Sequence, residues 1–300
     1  AEFLSCSMRR LLRPTTAAAA VASLLLHCSP PHCSPPHRRA PPPRLTVDDD
    51  ADEIRIVCVS DTHGFEGQLP PVPPGDLLIH CGDFAPDGGS SVRLRAVEAF
   101  DQWLAAQPHK VKLVVRGNHD PRSAAFPASG ATYICKPTSV RVGSLVVHSV
   151  PFTRGRLREP IPPCDVLATH SPPKGVLDLC YSGGHGGCRF LRSAVEDAIV
   201  RPRLWLCGHI HEGRGHLSDA FGGFRRVPQP GESFGLGVLV PDGDALELHA
   251  GPGSRAHGTL VVNCANANTG RATRLEHGAA LIRYSPIAPA AAPAAASSSA

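Results

Sequence analysis

The chain has 300 residues, 42% hydrophobic and 19% charged, a balance that suits one large or two small buried cores and excludes a wholly unfolded protein. Its formal charge of +4 owes much to arginines near the start (Arg9, Arg10, Arg13, Arg38, Arg39, Arg44), so no nucleic-acid partner is argued from it. Sixteen histidines against three tyrosines and two tryptophans direct attention to metal ligands, because histidine is the commonest of these.

Residues 1–52 differ from the rest in composition: MRRLLR, an alanine-rich run, then HCSPPHCSPPHRRAPPPR, with no acidic residue between Glu2 and Asp48. This segment is expected not to pack. It reads equally as a disordered proline-rich tail or as a signal or transit sequence, and its apolar run from Ala17 to Leu26 is far short of the ~20 residues that span a bilayer. No membrane span is expected. The odd count of 11 cysteines, several in apolar runs (Cys58, Cys81, Cys207), argues against a disulfide scaffold and for a reducing compartment. That compartment is the cytoplasm, or an organelle if residues 1–50 act as a transit sequence.

From Glu53 onward, short β-rich apolar runs recur at 54–60, 76–82, 111–117, 144–150, 165–170, 203–208 and 259–265, each closed by polar residues. Helical patterns occupy 92–107 and 188–200. The alternation predicts a layered α/β domain over 53–285. A Gly/Pro-rich piece at about 221–258 reads as an insertion, and the low-complexity tail 286–300 as disordered. Oligomeric state is not legible.

Five of the strand runs end in potential metal ligands: Asp61 and His63, then Asp83, then Asn118 with His119 and Asp120, then His170, then His209 and His211. In open α/β sheets a site lies beyond the carboxyl ends of the strands, so these side chains are expected to converge on one crevice. Asp61 and His63, like His209 and His211, are two apart, a spacing that points side chains the same way in extended backbone. Gly82, Gly117 and Gly208 precede ligand positions, as expected where backbone turns sharply. Seven N or O ligands and no thiolate are too many for one tetrahedral zinc, so two transition-metal ions are implied, divalent or mixed-valence, with Mn, Fe and Zn all compatible. A bridging carboxylate is then required, and Asp83 is central in the order.

The series Asp61-x-His63, Gly82-Asp83, Gly117-Asn118-His119-Asp120, His170 and Gly208-His209-x-His211 resembles the signature of the calcineurin-like metallophosphoesterases. ATHSPPKGVLDL and CGHIHEGRG further resemble the small metallophosphoesterase-domain proteins, a branch thought to act on phosphodiesters, cyclic nucleotides included. The resemblance implies a four-layer α/β/β/α sandwich and hydrolysis of a small phosphate-ester substrate by a metal-bridging hydroxide. One metal would take Asp61, His63 and His211, the other Asn118, His170 and His209, with Asp83 bridging. His119 would act at the leaving oxygen and Asp120 would orient its ring. The Asp-Arg-Gly element of protein phosphatases is absent after Asp83, leaving Arg116, Arg154 and Arg156 as candidates for gripping phosphate. The alternatives are a phosphomonoesterase of the same fold and a non-catalytic metal-binding regulatory protein. Isolated histidines (His80, His148, His185, His216) are read as structural, Trp103 and Trp205 as core, and Glu212 as either a partner for a ligand imidazole or an exposed loop charge.

Overall fold

The computed structural model describes residues 44–45, 53–220, 238–239, 246–250 and 258–285; the rest of the N-terminal segment, most of the 221–258 piece and the tail after Ser285 lie outside the described residues. In chain order the strands begin β1 (Arg44–Leu45), β2 (Ile54–Val59), β3 (Leu77–His80), β4 (Val111–Val115), β5 (Thr132–Ile134), β6 (Thr138–Val142) and β7 (Leu145–Val150). They continue with β8 (Val166–Thr169), β9 (Leu204–Cys207), β10 (Gly215–Ala220), β11 (Val238–Leu239), β12 (Leu246–Ala250), β13 (Thr259–Asn263) and β14 (Ala280–Tyr284). The helices are α1 (Ser90–Ala105) and α2 (Arg189–Glu196).

Two mixed sheets form. One runs β12-β14-β2-β3-β4-β5, parallel from β2 to β5. The other runs β1-β6-β7-β8-β9-β13-β10-β11, parallel from β7 through β13. The period-2 alternation of strands explains the layers. Ile54, Ile56 and Cys58 of β2 face the second sheet in a core shared with Val147, Val166 and Leu206, while Val57 and Val59 face outward onto Phe100 and Leu104 of α1. On the far side Leu167, Trp205 and Val261 meet Leu191 and Val195 of α2. The result is the four-layer α/β/β/α sandwich. Strands buried on both faces are why the sequence shows continuous apolar runs. Trp205 is fully buried and Trp103 packs against the α1 core, as the sequence suggests.

Several elements differ from the sequence reading. Arg44–Leu45, inside the segment expected not to pack, pairs in parallel with β6, and Leu45 packs against the inter-sheet core. Leu246–Ala250, inside the expected insertion, pairs with β14. Helix α2 stops at Glu196, where the Arg192–Glu196 pair closes its last turn; Ile199 beyond it is fully exposed, so the apolar pattern that extends to Val200 has nothing to bury against. Among the described residues no helix is long and apolar enough to cross a membrane.

Candidate metal centre

All five ligand-bearing segments follow strands β2, β3 and β4 of one sheet and β8 and β9 of the other, at their carboxyl ends. The backbone there is not extended. Asp61 (φ 56°), His63 (φ 49°), Asp83 (φ 58°) and His209 (φ 71°) lie in the left-handed region, which costs L-residues ~1–3 kcal/mol each and is concentrated at functional sites. The sharp turns are therefore made by the ligand residues themselves. Of the three preceding glycines only Gly82 has positive φ; Gly117 and Gly208 serve close approach. A Cβ on Gly117 would lie 2.1 Å from Asp83 Oδ1, and one on Gly208 2.3 Å from Asp61 Oδ2.

Two groups result. Ligand atoms of Asp61, His63 and His211 lie within 4.8 Å of one another, as do those of Asp83, His170 and His209. His170 Nε2 is 2.9 Å from Asn118 Oδ1, 3.1 Å from His209 Nδ1 and 3.2 Å from Asp83 Oδ2, so four predicted residues surround one point. All seven predicted ligands thus fall into the two groups or against them. The expectation from spacing that each two-apart pair shares one site holds for Asp61 and His63 but not for His209 and His211. These are divided between the groups.

The two groups are cross-linked through the backbone: Asp61 N–H donates to Gly82 O, His63 N–H to Asp83 O, His119 N–H to Asp83 Oδ1, and His209 N–H to Asp61 Oδ2. Ring orientation is fixed by carbonyls, with His170 Nδ1 2.8 Å from Cys81 O and His211 Nδ1 2.9 Å from Asn268 O. This is how metal-binding histidines are commonly held. Burial pushes His170 and His211 down, but Asp83 beside the first and Asp61 beside the second outweigh it and raise both to about 9. Burial pushes Asp83 up, and His170 outweighs it to hold the carboxyl at about 2; burial and then His170 lower His209 to about 4. The two groups therefore hold protons of the kind a bound cation displaces.

The donor set fits metal. Asp61 Oδ1 and both ring nitrogens of His63 are buried without a hydrogen-bond partner, an arrangement costing ~1–3 kcal/mol per group unless something satisfies them. Imidazole, carboxylate and amide oxygen suit first-row divalent ions. A family model described as calcineurin-like phosphoesterase matches residues 54–213, which span the whole ligand series.

The chain belongs to the calcineurin-like phosphoesterase family.

The chain is 32% identical over 211 residues to Metallophosphoesterase domain-containing protein 1 of Homo sapiens, covering 55% of this chain and 63% of that protein. It is 30% identical over 201 residues to a UPF0046 protein of Caenorhabditis elegans, covering 55% of this chain and 66% of that one. It is 35% identical over 193 residues to the probable rhamnogalacturonate lyase C of Emericella nidulans, covering 54% of this chain and 17% of that protein. The chain thus spans about one sixth of the Emericella protein and just under two thirds of the other two. Family membership and the ligand groups together support a metal-dependent phosphoesterase.

Within this metallophosphoesterase site one expected role is corrected. Asp120 does not orient His119. Its Oδ2 accepts from the N–H groups of Gly117 (2.7 Å) and Asp83 (2.8 Å) and its Oδ1 from that of Ala85 (3.0 Å), so the carboxylate is consumed in clamping two loops together. The His119 ring meets Asp87 instead, with Nδ1 2.8 Å from Oδ1. Asp87 carries no motif signal beyond being an acid near Asp83. Arg116 is also redirected, donating to the carbonyls of Gly117 (3.1 Å) and Phe152 (2.5 Å). Arg156 lies over the Phe190 ring, and Arg154 is exposed on the same loop. Glu212 accepts from Gly270 N–H, not from an imidazole.

Of the histidines read as structural, His80 is fully buried: Gly82 N–H donates to its Nδ1, so Nε2 carries the proton toward Thr62 Oγ1 at 3.0 Å, and Thr62 in turn donates to Glu66. Burial lowers this ring to about 3, keeping it neutral. His185 pairs with buried Asp178 at 2.6 Å within its loop, and Cys180 and Cys188 are free. His148 Nδ1 lies 2.9 Å from Ser139 Oγ. The residue pattern missed Phe152, whose ring lies against His170 and His209 at centroid distances of 5.8 and 5.4 Å.

Proposed function

We propose that this chain is a two-metal phosphodiesterase. The observation that carries the reading is the pair of ligand groups set side by side, Asp61, His63 and His211 beside Asp83, His170 and His209. One ion would take Asp61, His63 and His211, the other Asn118, His170 and His209, with Asp83 shared. In support, the Asp83 carbonyl accepts from His63 N–H, so the residue stands between the two groups. Two such cations, when bound, lower the pKa of water and offset charge on the attacked phosphate.

The chain's own groups do the rest. With Nδ1 of His119 2.8 Å from Asp87 Oδ1, beside the carboxylate but not aligned for a hydrogen bond, its Nε2 lies toward the centre, 3.9 Å from Asp83 Oδ2. Placed there, the ring can give an Nε2 proton to the leaving oxygen, with the Asp87 carboxylate beside it to offset charge. Asp120 keeps the Asp83 and Asn118 loops in register, and Phe152 walls off the side of His170 and His209 from water. A diester is favoured by the likeness of ATHSPPKGVLDL and CGHIHEGRG to the small phosphodiesterase branch, and the lack of the Asp-Arg-Gly element after Asp83 disfavours a protein phosphatase. Cyclic nucleotides belong to that class.

The test is turnover of bis(4-nitrophenyl) phosphate and 4-nitrophenyl phosphate by protein of measured metal content. The reading expects metal-dependent hydrolysis with the diester preferred. Faster monoester turnover would make the protein a phosphomonoesterase, and two bound metals without turnover would make it a non-catalytic metal-binding protein.

A further inference from the structure

The mouth of the centre carries a feature that the metal ligands do not account for. Asn268, whose carbonyl accepts from His211, also folds the chain after it: its Oδ1 accepts from Thr273 N–H (2.7 Å) and Arg274 N–H (3.1 Å), and its Nδ2 donates to the carbonyls of Thr269 and Arg271. Gly270, at φ 75°, makes the reversal, and its N–H is tied to Glu212 at 3.1 Å. A closed turn is thus pinned to both His211 and Glu212, and it projects Arg271 across the crevice to Asp87, with Nε 3.2 Å from Oδ2.

The order of groups is then Asp83, His119, Asp87, Arg271, running outward from the ligands to the rim. Arg271 stands beyond the ring that serves the leaving oxygen, and two side chains separate it from the ligand groups. It is 79% exposed and Asp87 40%, and an ion pair so exposed contributes little, so an incoming anion can replace Asp87 as its partner at small cost. Of the other arginines near the centre, Arg274 is engaged with Glu276, Arg116 with two carbonyls and Arg156 with Phe190. A guanidinium fork matches a carboxylate or phosphate with two parallel hydrogen bonds.

We infer that Arg271 is a specificity-determining residue on the leaving-group side, and that the site takes phosphate esters whose leaving group carries a second anionic group, a carboxylate or a phosphate. This rests on the two-metal phosphoesterase reading. It adds a charge requirement to the substrate that the metal centre alone does not impose.

Two non-hydrolysable probes separate the possibilities by calorimetric titration of metal-loaded protein. Methylphosphonate has only the group that fills the centre, and 3-phosphonopropionate adds a carboxylate beyond it. For Arg271→Gln, at an exposed position, metal content and methylphosphonate affinity are expected to stay at wild-type values while 3-phosphonopropionate binds ~10-fold more weakly. Arg271→Lys, which keeps the charge without the fork, should fall between. Equal weakening of both probes would mean that Arg271 acts on the phosphoryl group or through His119, and no weakening of either would mean that it contacts no ligand; each overturns the inference. If metal-loaded wild-type protein bound methylphosphonate not at all, the phosphoesterase reading itself would fail and this inference with it.

Discussion

The two ligand groups are assembled by different means. Around His170 the donors touch one another: its Nε2 meets Asn118, His209 and Asp83 within 3.2 Å, and the ring is fully buried with its other nitrogen on Cys81 O. Around His63 the ring packs edge-on to His119 and His211 but makes no hydrogen bond. Neither ring nitrogen has a partner, Asp61 Oδ1 is likewise unpaired, and His211 Nε2 stands 3.6 Å from it. That second arrangement is imposed by backbone, through the left-handed turn at Asp61 and His63 resting on the Thr62–His80 pair. Left-handed backbone serves both halves, at Asp61 and His63 in one and at Asp83 and His209 in the other, but only the His170 half is also held by side-chain contacts among its ligands, and Asp83 joins the two through its carbonyl on His63 N–H.

The heaviest way to break this arrangement is at the joint. Asp83→Ala removes the charge shared by both halves, and metal content should fall together with activity, the rate by ~10³-fold or more for the loss of several kcal/mol of charge stabilisation. Retention of two metals by this variant would show that each half closes on its own.

Next in size is His119→Ala. All ligands remain, so metal content should hold while the rate on an alkyl phosphodiester drops ~10²–10⁴-fold. A nitrophenyl ester, whose leaving group needs little protonation, should lose less; equal losses would assign the ring to transition-state electrostatics instead. Asp87→Asn acts one step further out and should cost ~10–100-fold. The corresponding change at Asp120 should instead lower stability, because it loosens a clamp on three backbone N–H groups.

The smallest effect concerns the His63 half. In the fold His80 is neutral with its pKa lowered to about 3, whereas in the unfolded chain it returns to ~6.5. Between those values the unfolded state takes up a proton that the folded state refuses, so the stability due to His80 is complete above ~6.5 and is lost as pH falls below it. His80→Gln keeps a donor and an acceptor without titrating in this range. Urea unfolding at pH 7 and pH 5 should show the wild-type advantage over this variant shrinking by ~2 kcal/mol. An unchanged gap would mean that His80 takes up a proton in the fold as readily as in the unfolded chain.

The elements that sequence reveals are those buried on both faces, such as LWLC of β9, where every position is apolar, and IRIVCV of β2, apolar but for Arg55. Strands with a half-exposed face, TSVRV of β6 and ALIRY of β14, alternate too briefly to stand out from loops. The ligands are legible because each follows a strand end and local order carries them to one crevice. Asp87, Phe152 and Asn268 are not, because what gives them a role is contact across the fold: Asn268 reaches His211 over 57 residues, and Arg271 reaches Asp87 over 184. Spacing misleads at His209 and His211, which fall in different groups.

The central claim is that two cations share Asp83. It is tested most directly by anomalous diffraction from crystals of the metal-loaded protein. The account predicts two peaks ~3.5–4 Å apart with Asp83 between them, one flanked by Asp61, His63 and His211 and the other by Asn118, His170 and His209. A single peak, or two peaks with His63 or His211 turned away from both, would contradict it.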